Sequence, residues 1–165
     1  MSMGKRIAIM WITAAIVAVA GAWAVQEWVY GVARMDGVSM EPTIQANEVI
    51  RINKMATEFE RGDVIKFLPM GGRLPLVRRI IALEGEEIFI DYDTDRVLIN
   101  GSTLNEPHRA AERMGYVRGF ASEIPFEVPA GTFFVMGDNR NASWDSRTFG
   151  AVVAGTIIGR VDLRD

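Results

Sequence analysis

The 165-residue chain has no cysteine, one histidine and three lysines. Without cysteine it cannot hold a disulfide framework, a zinc–thiolate site, an iron–sulfur cluster or a thiol nucleophile. The single histidine, His108, excludes metal sites built from several histidines, and we expect no metal and no cofactor. The net charge of −3 at pH 7 gives no reason to expect a nucleic-acid partner, since such binding relies on many basic contacts to phosphates.

Charge is also absent from residues 7–25, near the N-terminus. A helix of that length is about 28 Å long, close to the ~30 Å hydrocarbon core of a bilayer. Lys5 and Arg6 precede this segment, whereas the aromatic residues Trp28 and Tyr30 follow it. Because basic flanks stay in the cytoplasm and aromatic residues settle at the interface, residues 1–32 are predicted to anchor the chain in the lipid bilayer. The expected protein is single-pass in the cell membrane, with its N-terminus cytoplasmic and its body extracytoplasmic.

Two other interpretations of this segment are weaker. A buried core helix would have a polar face, but this segment is apolar on all sides. A cleaved signal peptide is conceivable because residues 20–24 contain small-x-small patterns. The apolar part of a signal peptide, however, runs for only about 7–15 residues, which favours a retained anchor.

The rest of the chain, residues 33–165, is predicted to be one mainly β domain. It contains short β-branched and aromatic runs separated by turn residues, which is typical of all-β proteins. Asn100-Gly101 between two apolar stretches predicts a hairpin. Residues 105–123 are polar and predict an exposed loop or a short helix. The predicted strands are 48–53, 64–68, 77–83, 88–91, 97–99, 133–136 and a bent or paired strand over 151–161.

Three segments break the β pattern and are candidates for chemistry. In residues 37–43 (GVSMEPT), a proline-fixed turn could expose the Ser39 hydroxyl and direct its backbone N–H towards a bound carbonyl. Arg78 and Arg79 are adjacent in an apolar strand, so one of them should point inward and need a carboxylate or carbonyl partner. Residues 137–147 form a dense polar loop, which is either a hydrogen-bonded structural knot or the wall of a site.

Together these segments resemble bacterial type I signal peptidases, the Ser/Lys serine proteases, in their compact Gram-positive-like form. The resemblance rests on GVSMEPT, RGDVIKF, LVRRIIALEGE, INGSTLNEP and FFVMGDNRNASWDSRTFG, in that order. It implies a β-rich, signal-peptidase-like catalytic domain on the membrane helix. It also implies a membrane-bound serine endopeptidase that removes signal peptides from exported preproteins after small-x-small (Ala-x-Ala) sites.

The resemblance assigns roles to five residues around the reaction centre. Ser39 stands at the nucleophile that forms the acyl-enzyme, and its N–H would contribute to the oxyanion hole. Gly37 stands where some members have a second hydroxyl, so this chain resembles those that rely on the backbone. Ser143 stands at the serine that orients the base, while Asp145 and Arg147 match a pair that braces the site.

The family pocket for the small residue before the scissile bond also has counterparts in this chain. A shallow apolar pocket rejects bulky side chains sterically. The corresponding residues are Met40, Ile44 and Leu76.

Arg78 departs from the family pattern, because it stands where the family has its catalytic lysine. A buried lysine can lose its proton near neutral pH, whereas arginine starts above ~12 and stays protonated. Arg78 could hold Ser39 or stabilise an oxyanion, but it should not deprotonate the serine. Since a general base contributes about 10²–10⁴-fold, the chain as written is predicted to be inactive or impaired.

No other residue is a convincing base on sequence grounds. Lys5 lies across the membrane, Lys54 and Lys66 have the pattern of surface charges, and His108 lies outside the matched motifs. Three explanations therefore stay open: a deliberate Lys→Arg variant, a natural paralogue that binds substrates without cleaving them, or a natural enzyme with an unusual base or low activity. The alternative function is a binding or assembly scaffold. A Ser/Lys self-cleaving repressor-type domain is disfavoured by the membrane segment.

Overall fold

In a computed structural model of the chain, the described residues are 3–122 and 124–163. Helix α1 spans Met3–Val29. Its first 21 residues, Met3–Trp23, have a mean hydropathy of 1.8 and are long and apolar enough to cross a membrane. No residue in the most apolar part of this segment is buried. A core helix would be covered by other elements, so its exposure agrees with the anchor interpretation. The predicted interfacial contact of Trp28 falls on a side chain outside those described.

The described part of the body is built from short antiparallel strands. They form a seven-stranded sheet in the order β1-β2-β11-β3-β4-β9-β10 and a four-stranded sheet in the order β7-β6-β5-β8. Helix α2 spans Ser146–Phe149, and 3₁₀ turns cover Arg140–Ala142 and Ala154–Thr156. The strands are β1 Tyr30–Arg34, β2 Val49–Asn53, β3 Val64–Phe67, β4 Leu76–Ala82, β5 Glu87–Asp91, β6 Arg96–Ile99, β7 Ser102–Thr103, β8 Phe126–Glu127, β9 Thr132–Met136, β10 Val152–Val153 and β11 Ile157–Asp162.

Strand β4 lies at the centre of the fold, because it contributes to three apolar clusters. Val77 packs with the loop that follows β1, Ile80 packs with β3 and β9, and Ile81 packs with the four-stranded sheet. Ile80 is fully buried, and burial of such a side chain stabilises a protein by about 1.5–3 kcal/mol. A strand covered on both faces reads as a continuous apolar run, which is the pattern in which the two arginines occur.

The prediction of a mainly β domain behind an apolar helix is confirmed. The hairpin also forms, with Ile99 paired to Ser102 and positive φ angles at Asn100 and Gly101. The bent strand predicted over 151–161 is two strands, β10 and β11, separated by a 3₁₀ turn.

The segment 105–123 was predicted as an exposed loop or short helix, and that prediction is only partly right. Its described residues form no helix. The segment is not wholly exposed, since Met114 and Ala121 are buried in the cluster beside the four-stranded sheet. Strands β1, β7 and β8 were not predicted, because each is short or follows directly on another element.

Candidate active site

Ser39 lies in the loop between β1 and β2, where a chain reversal begins at Gly37. Gly37 has φ +82°, a conformation that glycine adopts without steric cost. The Ser39 side chain is almost buried, and its carbonyl accepts a hydrogen bond from Asn139 N at 3.1 Å. The Ser39 N–H donates to no acceptor within residues 3–122 and 124–163. It is therefore free to bind an oxyanion, the role expected from the sequence.

Arg78 reaches Ser39 from β4 and is hydrogen-bonded on every nitrogen of its guanidinium. Nη1 donates to Ser39 Oγ at 2.8 Å and to Val77 O at 2.6 Å. Nε and Nη2 donate to Trp144 O at 3.1 and 2.9 Å. The bond to Ser39 thus runs from the arginine to the serine. A general base would have to accept a proton in the opposite direction.

The surroundings of Arg78 change the pKa of its guanidinium. Burial lowers the pKa of Arg78, Asp145 opposes that shift, and Arg147 adds to it. Carbonyl acceptors at Val77 and Trp144 favour the protonated guanidinium, because hydrogen bonds from a charged donor are stronger than those from a neutral one. Arginine does not lose its proton in proteins. The geometry therefore supplies a hydrogen-bond donor at the serine and no proton acceptor.

Ser143 faces this centre with a hydroxyl that has no partner. Its Oγ is buried and makes no hydrogen bond with any residue of the described part of the chain, so the structure does not bring Ser143 and Arg78 into hydrogen-bond contact. A buried hydroxyl without a partner costs about 1–3 kcal/mol. Ser143 is nevertheless close to Ser39, because both pack against Gly137. An added Cβ at Gly137 would lie 2.4 Å from Ser143 Oγ and 2.5 Å from Ser39 O.

Gly137→Ala adds only one methyl group, but it should destabilise the protein clearly. The new methyl group would collide with the Ser39 carbonyl, which is backbone and cannot rotate away. We expect the free energy of unfolding in detergent to fall by about 1–3 kcal/mol. Gly155→Ala is the matched control, because an added Cβ there meets nothing within 4 Å and should change stability by less than about 0.5 kcal/mol. Equal effects of the two substitutions would contradict the close packing at Gly137.

Asp145 and Arg147 form a fully buried ion pair beside the serines. Arg147 donates to both oxygens of Asp145, from Nε at 2.9 Å and from Nη2 at 2.9 Å. Asp145 also accepts from Gly137 N at 3.1 Å, and Arg147 Nη2 donates to Arg140 O at 2.6 Å. The pair thereby ties both ends of the polar loop to α2. These contacts support the bracing role expected for it.

Arg79, next to the centre, has its own buried network. Its Nε and Nη2 donate to Asp138 at 2.8 and 2.6 Å, and its Nη1 donates to Gly62 O at 2.7 Å. Thr43 joins the same carboxylate. The sequence predicted that one arginine of the pair would point inward and need a carboxylate or carbonyl partner. In the structure both do: Arg78 and Arg79 are 5% and 4% exposed, and they donate to Trp144 O and to Asp138. They do point to opposite faces of β4, but both faces are covered.

A cleft of 220 Å³ opens beside Ser39 and Arg78. Of the three residues predicted to line a substrate pocket, Leu76 lines this cleft. Met40 and Ile44 do not line it; both are almost fully buried in the apolar cluster beneath the loop. In the described structure those two side chains support the floor of the site and do not face its opening.

Of the residues considered as substitute bases, Lys66 lines the cleft together with Ser39. Lys5 lies in α1. Lys54 lines a second cleft and its side chain lies over Gly31. His108 lines neither cleft, and it lies near the buried ion pairs of Arg79 and Arg140. Sequence reasoning gave no role to Gly137. It considered Lys66 as a base and interpreted it as a surface charge, whereas the structure places it at the cleft.

His108 should make the stability of the chain depend on pH. Partial burial lowers the pKa of His108 below 6.5, Arg79 and Arg140 add to the shift, and Asp138 and Glu106 oppose it. The unfolded chain therefore binds this proton at a higher pH than the folded one, so stability is lost as pH falls below about 6.5. We expect His108→Gln to lose less unfolding free energy than the unchanged chain between about pH 7.5 and about pH 5.5. Identical losses would show that His108 does not contribute.

The chain is similar in sequence and in fold to known proteins of one family. Residues 8–164 match the family described as signal peptidase, peptidase S26. Signal peptidase I V of Bacillus subtilis (strain 168) is 33% identical over 160 residues, covering 90% of this chain and 94% of the relative. Signal peptidase I of Bacillus caldolyticus is 33% identical over 141 residues, covering 79% and 76%. The crystal structure of a signal peptidase I from Enterococcus faecalis V583 superposes with a TM-score of 0.51 at 30% identity, covering 62% of this chain and 96% of that one.

Proposed function

Because this chain belongs to the signal peptidase family, peptidase S26, we propose that it binds signal peptides of exported preproteins beside Ser39 and is impaired in cleaving them. The observation that carries the proposal is the 2.8 Å hydrogen bond from Arg78 Nη1 to Ser39 Oγ. In this proposal Ser39 is the nucleophile of a serine peptidase, and Arg78, a protonated donor, stands where the base of the family would be.

The catalytic cycle requires a proton acceptor, and among the described residues the side chain hydrogen-bonded to Ser39 Oγ is the donor Arg78. In the intact mechanism, Ser39 Oγ attacks the scissile carbonyl, its proton passes to a base, and the Ser39 N–H stabilises the oxyanion. The base then protonates the leaving amine, and water hydrolyses the acyl-enzyme. Arg78 can take part in charge stabilisation but cannot accept the proton. We assign Ser39 as nucleophile, Gly37 as the turn residue of the oxyanion loop, and Asp145 with Arg147 as positioning residues.

The roles of the substrate pocket and the membrane segment belong to the same proposal. Leu76 at the cleft wall, with Met40 and Ile44 beneath it, would favour small residues such as those of Ala-x-Ala. Residues 1–32 would anchor the chain in the cell membrane with the N-terminus cytoplasmic. Residues 33–165 would then form the extracytoplasmic domain, close to the emerging signal peptide.

A second function, binding without turnover, is favoured by the same arginine. A scaffold in protein export or assembly would keep the peptide cleft and the serine but need no base. The two functions share the binding step and differ only in the chemical step. Ser39-dependent cleavage by the unsubstituted chain would separate them.

Peptide binding to the unchanged chain tests the shared step. Fluorescent peptides with Ala-x-Ala and Leu-x-Leu at otherwise identical sites would be titrated against the full chain in detergent. We expect the Ala-x-Ala peptide to bind at least about tenfold more tightly, because a shallow pocket excludes leucine. Equal affinity, or no binding of either peptide, would refute the proposed substrate class.

A further inference from the structure

A groove leads from the end of the membrane helix to Ser39. It consists of the 220 Å³ cleft beside Ser39 and Arg78 and a second cleft of 660 Å³, which Trp23 of α1 and parts of β1 and β2 line. Lys66 lines both clefts, so it stands where they meet. We call the two clefts together the Lys66 groove.

The Lys66 groove is positively charged although the whole chain carries a net charge of −3. The acidic residue among those that line it is Asp36, at the rim of the smaller cleft. Asp162, which pairs with Arg51 at 3.8 Å, lies outside the lining. The basic residues that line the groove are Arg34, Arg51, Lys54, Lys66 and Arg78.

Lys66 differs from its charged neighbours in having no partner. Arg34 donates to Asn47 O at 3.0 Å, Arg51 stacks on the ring of Tyr30, and Arg78 is held by carbonyls. The Lys66 ammonium makes no hydrogen bond or ion pair with any described residue, 3–122 or 124–163. Its side chain is half-buried on β3, opposite Val77. Such a cation beside a peptide cleft is positioned for a partner that arrives with the ligand.

The direction of the groove indicates which part of a peptide would reach Lys66. A signal peptide has its apolar segment in the membrane, N-terminal to the scissile bond. If that bond lies at Ser39, the residues just before it run back along the groove towards α1. Residues after the scissile bond leave on the other side.

We propose that Lys66 is a specificity-determining residue that pairs with an Asp or Glu of the substrate, N-terminal to the scissile bond. This inference rests on the proposed function. The substrates preferred by this chain are then signal peptides with an acidic residue between the apolar segment and the small-x-small site, or at its middle position. The ion pair is half-exposed, so its contribution corresponds to about two- to fivefold in affinity.

Binding measurements on the full chain test this inference without requiring turnover. Ala-x-Ala peptides would carry Asp, Asn or Lys in turn at the middle position and at each of the three positions upstream. At one or more positions we expect Asp to bind about two- to fivefold more tightly than Asn, with the difference shrinking in high salt. Lys66→Gln should abolish the difference, and Lys66→Glu should reverse it in favour of Lys. Arg96→Gln removes a charge from an exposed position on β6, outside the groove, and should leave the preference intact.

Three outcomes would overturn the inference. One is tight binding of the neutral peptide with no preference for Asp at any position, which leaves the proposed function standing. Another is a preference that survives Lys66→Gln. The third is an unchanged peptide preference together with weaker binding of Lys66→Gln to phosphatidylglycerol vesicles, since the groove would then serve a lipid headgroup. Failure of the proposed function is distinguishable, because the neutral Ala-x-Ala peptide would itself not bind.

Discussion

Arg78→Lys should raise cleavage of an Ala-x-Ala reporter peptide by about 10²-fold or more over the unchanged chain. The proposed nucleophile Ser39, with its free N–H, and the braced loop already lie around position 78. The missing component is an atom that can accept the serine proton. A lysine there would be buried, and burial lowers the pKa of an ammonium group so that part of it is neutral near physiological pH.

The orphaned hydroxyl of Ser143 supports this expectation. Arg78 donates to Trp144 O and Val77 O, and Ser143 Oγ has no partner among the described residues. A lysine at position 78 would have fewer hydrogen-bond donors than the arginine. The family resemblance implies that Ser143 orients such a lysine. If so, Ser143→Ala should lower the activity gained by Arg78→Lys. The same change should have no effect on cleavage in the unchanged chain.

Two controls and a pH profile separate a restored base from a general effect of lysine. Arg79→Lys, the same substitution at the adjacent buried position, should give no gain, because Arg79 faces Asp138 and not Ser39. Ser39→Ala in the Arg78→Lys chain should abolish cleavage. The rate should rise with pH as the lysine loses its proton. A pH-independent rate would be inconsistent with lysine acting as the base.

Asp145→Ala should give the largest loss of stability, lowering the free energy of unfolding by about 3–5 kcal/mol. The Asp145 and Arg147 side chains are both 0% exposed. Removal of the carboxylate would leave a buried guanidinium without its counter-charge and Gly137 N without its acceptor. The peptide cleft should be lost with the loop, so binding of Ala-x-Ala peptides should weaken as well.

The expected interaction energy is measurable by a double-mutant cycle. Asp145→Ala combined with Arg147→Met removes both charges and should cost less than the sum of the single substitutions, because no unpaired charge remains. Asp162→Ala provides the matched control, since its pair with Arg51 is largely exposed and should contribute about 0–1 kcal/mol. Similar losses for Asp145→Ala and Asp162→Ala in chemical unfolding would contradict the bracing role.

Much of the fold could be predicted from the sequence because burial and turn chemistry leave local patterns. β2, β3, β5 and β9 lie within one residue of their predicted bounds. Strands such as β7 and β8 are two residues long. Their place is determined by pairing with β6 and β5, which no local pattern records.

The sequence indicated which residues are candidates for the site, but it predicted their contacts less well. The motifs identified Ser39 and position 78, which the structure brings within hydrogen-bond distance. They did not indicate that both arginines are buried, because alternation describes one face and cannot show that the other is covered. The missing partner of Ser143 Oγ and the position of Lys66 at the cleft depend on residues that are distant in the sequence. Both are tertiary features.

The central claim, an assembled site without a base, is tested most directly by asking whether the chain as written cleaves at all. The full chain in detergent would be incubated at high concentration with an Ala-x-Ala peptide, beside its Ser39→Ala variant, and the products identified by mass spectrometry. We expect both proteins to bind the peptide and to give the same amount of cleavage product. Cleavage after the second alanine by the unchanged chain, absent in Ser39→Ala, would mean that another group accepts the serine proton and would contradict the claim.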